Sequence, residues 1–334
     1  MYDKPEFSRR SFLAGTAAAP SALAMAQKSA APDVPAAGLP GAKWVWLPGE
    51  RTLPSTFVLF RKSFDLEAAP RRAALSIAAD SRYRLFVNGR RVQWGPAPCD
   101  PRWLDIDDAD IAPYLVAGTN VIGVEVLFYG VGDGTWPAGK PGLLASAELT
   151  FDGGGRRTIA TDETWLAFLD RAHPPGHFKR WFLRALQEEF DARLHPYGWS
   201  EAAFAPDSRW IRAMVLNCPA DKPPASAGGP YSGDTIDRAD RAKTFLRRRE
   251  IPPVRETLAP TARLAESGAI EWLRDPNDWF ESRIPGSFRL ERKATAKPMG
   301  AGEWELPDNS WAIFEFPGRW WAFRGGPSTP RRGR

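Results

Sequence analysis

The chain has 334 residues, 45 lysines and arginines against 40 acids, and a net charge of +5. That surplus sits at the ends: residues 1–26 carry +1 and the last eighteen, from Pro317, carry +5, so the body is near −1 and offers no footprint for a nucleic acid. Two cysteines and three histidines, none at zinc-finger spacing, exclude a disulfide framework and leave no metal site, and no cofactor is implied.

The first element is an address. Ser8-Arg9-Arg10-Ser11-Phe12-Leu13 is a twin-arginine pattern, followed by a mildly apolar run with small residues at Ala24 and Ala26. Arg9 and Arg10 therefore mark residues 1–26 as an export signal cleaved before Gln27, and the compartment is the periplasm or beyond. Gly15 and Pro20 interrupt the run, which is too short to span a bilayer; no later segment approaches a span, so no membrane is expected as a partner after cleavage. Residues 27–42, rich in Ala and Pro, read as a flexible lead-in.

From 43 to 216 short strands alternate with Gly, Pro and Asp punctuation, which predicts an all-β fold, a jelly-roll β-sandwich. Its centre is the stretch from Leu75 to Phe128. Tyr83, Leu85 and Val87 alternate with Arg82, Arg84 and Phe86, the period of a strand buried on one side. Asn88-Gly89 is the pair best suited to a tight two-residue turn, after which Arg90 to Trp94 returns antiparallel. A later strand puts Ile122, Val124, Val126 and Phe128 on one face. Asp107 to Leu115 and Phe178 to Phe190 are read as short helical or irregular excursions. The acids from Asp105 to Asp110 are read as helix-start caps rather than a calcium loop.

Residues 217–255 carry Pro223-Pro224, Gly228-Gly229-Pro230 and Arg247-Arg248-Arg249 and read as a linker, the arginine run being a solvated crossing. Residues 256–316 look like the beginning of a second β-sandwich domain, incomplete, and 317–334 is a basic tail. An unfinished domain leaves unpaired strand edges, so trimming after about Val215 is expected to improve solubility.

Function is read from loops. Arg82, Arg84, Trp94, Arg102 and Trp103 lie on or beside the central hairpin, and Glu189, Asp191 and Arg193 converge from later in the chain. Flat aromatic faces with planar polar groups suit a sugar ring, and Trp136 is a further loop candidate. The competing reading is that Asp191 and Arg193 pair to brace a loop. Asp80, Asp100, Asp105, Asp107, Glu188, Glu189 and Asp191 are loop acids that acid–base chemistry could use, but acids at strand ends commonly form turns and meet arginines. No catalytic residue is assigned. Cys99 and Cys218 are read as separate thiols, and His173 and His177 as solvated histidines of a proline-rich loop.

Asp80-Ser-Arg-Tyr-Arg-Leu-Phe-Val-Asn-Gly89 and Tyr114-Leu-Val-Ala-Gly-Thr-Asn-Val-Ile122 resemble the N-terminal, galactose-binding-like jelly roll of bacterial α-L-rhamnosidases. Thr161-Asp-Glu-Thr-Trp165, Glu189-Phe-Asp-Ala-Arg193, Gly198-Trp199, Asp207-Ser-Arg-Trp210, Arg249-Glu-Ile-Pro252 and Ser310-Trp-Ala-Ile-Phe-Glu-Phe316 extend the resemblance to roughly Trp44 through Phe316. It implies an accessory carbohydrate-binding or structural region whose partner is a rhamnose-containing oligosaccharide or glycoside. In that family the reaction occurs in an (α/α)₆ barrel further along, for which no counterpart is found here, so the expectation is a truncated chain without activity. The alternative is an active, inverting α-L-rhamnosidase acting on rhamnosylated plant or bacterial polysaccharides. Trp320-Trp321-Ala322 read one base out of frame gives Val-Val-Gly, so Arg319 to Arg334 is expected to be out-of-frame residue.

Overall fold

The computed structural model describes residues 39, 41–49, 51–130, 139–176, 189–224, 244–254, 263–274, 286–300 and 303–316. The twin-arginine segment, most of the lead-in, Trp136, His177, residues 178–188 with Glu188, and the tail from Pro317 lie outside the described residues. The chain divides into two compact units, one through Pro253 and one from Val254. No helix among the described residues is long and apolar enough to cross a membrane.

The first unit is a two-sheet β-sandwich. Its strands are β1 (Val45–Trp46), β2 (Thr56–Leu66), β3 (Arg72–Asp80), β4 (Arg82–Val87), β5 (Arg90–Gly95), β6 (Trp103–Asp110) and β7 (Gly118–Phe128), then β8 (Gly142–Thr150), β9 (Arg156–Ala160), β10 (Leu166–Leu169), β11 (Ile211–Arg212), β12 (Met214–Val215) and β13 (Phe245–Arg248). One sheet runs β12-β1-β8-β3-β6-β13, with β9 added on β8; the other runs β11-β10-β2-β7-β4-β5. The period-2 pattern decides which side chains meet between them. Val58, Phe60, Tyr83, Leu85, Ile122, Val124 and Val126 from one sheet pack against Leu75, Ile77, Leu143, Ala145 and Ala147 from the other, all almost fully buried. Each large side chain among them contributes roughly 1.5–3 kcal/mol.

The hairpin expectation is met. Asn88 and Gly89 take φ of 48° and 78°, the left-handed values that a two-residue turn requires. Asn88 Nδ2 donates to Tyr114 O and to Asn120 Oδ1, both at 2.9 Å, while its Oδ1 accepts from the Val121 backbone N–H at 2.8 Å. Asn120, fully buried, donates back to Val116 O and Gly118 O. The Asn-Gly and Gly-Thr-Asn motifs are thus one buried polar knot tying β4 to β7, and every amide in it has a partner.

Two expectations are corrected. Asp105 to Asp110 starts no α-helix: it belongs to β6, which pairs with β3, and only Asp110 keeps a cap-like role, accepting from the Ala112 N–H at 3.0 Å where the 3₁₀ turn Ala112–Tyr114 begins. The arginine run is no solvated crossing either. Residues 245–248 form β13, which pairs in parallel with β6 in the register Phe245↔Trp103 to Arg248↔Ile106. Arg247 then meets Asp105 at 2.6 Å, Arg248 meets Asp108, and Arg249 meets Asp107 at 3.2 Å. Acids disfavour a strand interior, yet here each meets a cation from the neighbouring strand segment. Trimming after Val215 would also remove β13 and leave Asp105 and Asp107 without their arginines, a cost the solubility expectation did not count.

The outer face of the six-stranded sheet is partly covered by the segment around Trp199 and Trp210, which packs on Leu59 and Phe168. Gly123 permits this, since a Cβ there would come within 2.8 Å of the Trp199 ring and 2.9 Å of Ser200 Cβ.

In the second unit, β14 (Arg263–Trp272) lies between β15 (Phe288–Arg292) and β18 (Ser310–Glu315), while β16 (Lys297–Gly300) pairs with β17 (Glu303–Glu305). Among the described residues no apolar side chain of this unit belongs to the buried core; Leu290, Ile313, Phe314 and Phe316 are exposed.

Candidate functional site

The start of β4 and the end of β5 are brought together by register. Arg84 faces Trp94 and Tyr83 faces Gly95. Arg82, Arg84 and Trp94 therefore share the face turned away from the inter-sheet core. The Arg82 guanidinium lies 5.5 Å from the Trp94 ring centroid and donates to Pro96 O at 3.0 Å. Arg84 reaches across to Glu125 of β7 at 3.0 Å. Beyond the turn at Pro96, Asp100 and Arg102 form a two-pronged pair, with Arg102 4.7 Å over Trp103. The result is two guanidinium–indole pairs, each planar and each partly exposed.

Glu189, Asp191 and Arg193 do not join them. Asp191 N–H donates to Ala172 O, and Asp170 N–H to Phe57 O, which places this loop beside the start of β2. Phe57 pairs with Leu127, and Leu127 with Arg82, so the loop stands roughly 14 Å away across the sheet at one strand spacing per step. Asp191 and Arg193 brace each other, at 2.8 and 2.6 Å, and this pairing holds the Asp191 carboxyl down at about 2. The same Asp-x-Arg clip recurs at Asp100 with Arg102 and at Asp207 with Arg209. In each, the aspartate also accepts from the arginine's own backbone N–H. Glu189 is exposed at the edge of this loop.

Asp107 and Asp80, two of the acids considered for chemistry, are held by other groups. Asp107 is buried, accepts from Tyr83 Oη at 2.6 Å and pairs with Arg249; burial still pushes its carboxyl above the usual range. Gln93 Nε2 completes the network by donating to Tyr83 Oη at 2.8 Å. Asp80 is 2% exposed and no cation pairs with it among the described residues. It accepts from the Ser81 hydroxyl at 2.7 Å and the Lys140 N–H at 3.1 Å, and burial pushes it up to about 7. Gly139 makes room, because a Cβ there would overlap Asp80 Oδ2. Cys99, half-buried nearby, is raised to about 12 by desolvation, and it and Cys218 are both free thiols. Among the described residues no group of three or more His, Cys, Asp and Glu could hold a metal ion.

Of the two histidines expected to be solvated, His173 is described and differs from expectation. His173 is not simply solvated but stacks on Phe57 with ring centroids 3.9 Å apart. His195 Nδ1 lies 2.8 Å from the buried carboxylate of Asp170. The sequence reading also missed a groove of about 460 Å³ lined by residues of β2, of β11 and of the segment before β10, with Arg61, Lys62 and Arg212 as its cations. Its one available signal was an arginine at an apolar position of β2, between Leu59 and Ser63.

Comparison with known proteins adds an independent line. Residues 68–257, more than half of the chain, match the family model of the alpha-L-rhamnosidase N-terminal domain. An alpha-L-rhamnosidase of Streptomyces avermitilis is 29% identical over 139 residues, which is 40% of this chain and 13% of that protein. The crystal structure of a GH78 family rhamnosidase of Bacillus sp. GL1 superposes with a TM-score of 0.51 and 30% identity, over 70% of this chain and 22% of that one. The chain thus spans less than a quarter of the length of these relatives.

Proposed function

The chain belongs to the alpha-L-rhamnosidase N-terminal domain family, and from that premise we propose that it is the accessory, carbohydrate-binding region of an exported α-L-rhamnosidase-like glycoside hydrolase, and does not itself cut glycosidic bonds. The observation that carries the reading is the contrast between bound acids and half-exposed planar groups. Hydrolysis needs two carboxylates facing each other across the scissile bond. Asp100 and Asp191 are clipped to arginines, Asp105 and Asp107 are paired to β13 and its successor, and Asp80 is buried. The Arg82–Trp94 pair, by contrast, offers a flat apolar face beside fixed N–H donors, the chemistry that reads a sugar ring and its hydroxyls.

Titration of the chain with a rhamnosylated oligosaccharide is expected to give saturable tryptophan quenching at millimolar ligand. Trp94→Ala should weaken binding about fivefold, equivalent to about 1 kcal/mol. Unchanged affinity in that variant would move the site elsewhere, and release of rhamnose from a chromogenic rhamnoside would overturn the non-catalytic reading. Export is tested separately. Arg9→Lys with Arg10→Lys should leave the protein in the cytoplasmic fraction, while the parent chain is recovered from the periplasm.

A further inference from the structure

The groove beside β2 has an unusual charge balance. Arg61 is 4% exposed, and its two Nη groups donate to Trp199 O at 3.2 Å and Phe204 O at 3.0 Å. Two carbonyls hold the guanidinium in place but do not neutralise it, and burial lowers its pKa. A buried charge is ordinarily matched by an opposite one. Lys62 and Arg212 line the same groove, and no acid does. Among the described residues no carboxylate pairs with Arg61, Lys62 or Arg212. Lys62 Nζ donates to the Thr164 hydroxyl, which donates in turn to Asp162. Glu163, which feels Arg212, is ion-paired with Lys43 at 3.0 Å. The remaining lining supplies a hydroxyl at Ser63 and an aromatic face at Phe204, whose ring also lies 5.8 Å from the Arg61 guanidinium.

We propose that this groove is a second saccharide subsite, one that takes a uronate: the carboxylate would sit against Lys62 and Arg212, with Arg61 behind them, and the ring against Phe204. The volume of about 460 Å³ suits one or two sugar rings rather than a bare ion. A neutral sugar would leave the three cations without a counter-charge, whereas a carboxylate makes charge-assisted hydrogen bonds with them. The inference rests on the carbohydrate-binding reading above, but at a different set of residues, so the two can fail separately.

The test is calorimetric titration of the full chain with trigalacturonic acid, with the same trisaccharide after reduction of its carboxyls to alcohols, and with inorganic phosphate. The acid is expected to bind at least tenfold more tightly than the reduced sugar, and more tightly than phosphate. Lys62→Gln, at a half-buried position, and Arg212→Gln, at an exposed one, should each weaken it about fivefold. Raising the salt from about 20 to about 300 mM should weaken it severalfold through screening. Unaltered circular dichroism in these variants separates lost binding from lost folding. Equal affinity for acid and reduced sugar, phosphate binding as tight as the uronate, no binding of the acid, or indifference to both substitutions would each overturn the proposal. Retained binding of a neutral rhamnosylated ligand in the Lys62→Gln, Arg212→Gln double variant would leave the first reading standing.

Discussion

Replacing Arg249 with methionine is expected to cost roughly 3–5 kcal/mol of folding stability, a large part of the roughly 5–15 kcal/mol typical of a domain. The reason lies in what the substitution leaves behind. Asp107 is 1% exposed in its side chain, Arg249 is 8% exposed, and the pair sits over Tyr83 in the sandwich. Methionine fills most of the arginine's volume but strands a carboxylate that desolvation already pushes above its ordinary range. Arg249 also donates to Ile251 O and Pro252 O, both at 2.9 Å, so the backbone leaving β13 loses its anchor as well. Urea unfolding followed by tryptophan fluorescence measures the loss. Adding Asp107→Asn should restore part of it, because the stranded charge is gone, and the double-mutant cycle gives the coupling. A loss below about 1 kcal/mol would mean that water reaches Asp107.

The second large effect is a dependence on pH that runs opposite to the usual carboxylate. Asp80 titrates at about 7 in the fold against an ordinary 3.8, so the folded state holds its proton more firmly than the unfolded chain does. Its contribution is fully present below the ordinary value and is lost as pH rises through about 7. The gap corresponds to at most about 4 kcal/mol between pH 4 and 7. Asp80→Asn keeps the shape and removes the titration. Its amide oxygen can accept from Lys140 N–H, and its NH₂ can donate to a rotated Ser81 hydroxyl. The difference in unfolding free energy between variant and parent, from urea titration, should therefore move in the variant's favour by on the order of 2–4 kcal/mol between about pH 4.5 and about pH 8. A difference that stays constant across that range would show that Asp80 is ionised and solvated throughout.

What could be read in the sequence was whatever is local or periodic. Tyr83, Leu85 and Val87 declared their buried face through alternation, and Asn88-Gly89 declared its turn through the backbone angles it tolerates. The brace between Asp191 and Arg193 was legible because partners two residues apart need no fold to find each other. β6 was misread because four aspartates in eight residues look like turn chemistry; the meaning of three of them depends on arginines about 140 residues away. Asp80 gave no sign of its environment, since burial comes from Gly139 and Lys140 on another loop. Arg61 likewise carries no local sign of its burial, which depends on Gly123 letting Trp199 approach the sheet.

The parallel pairing of β13 with β6 also governs the order of assembly. Its partners are separated by 142 residues, so closing that contact carries a long-loop entropy cost and comes late in folding. A nascent chain cannot complete its first sheet until Arg249 has left the ribosome, and until then β6 presents an open hydrogen-bonding edge. A fragment ending before β13 would lack the strand that completes the sheet and the arginines that meet Asp105, Asp107 and Asp108.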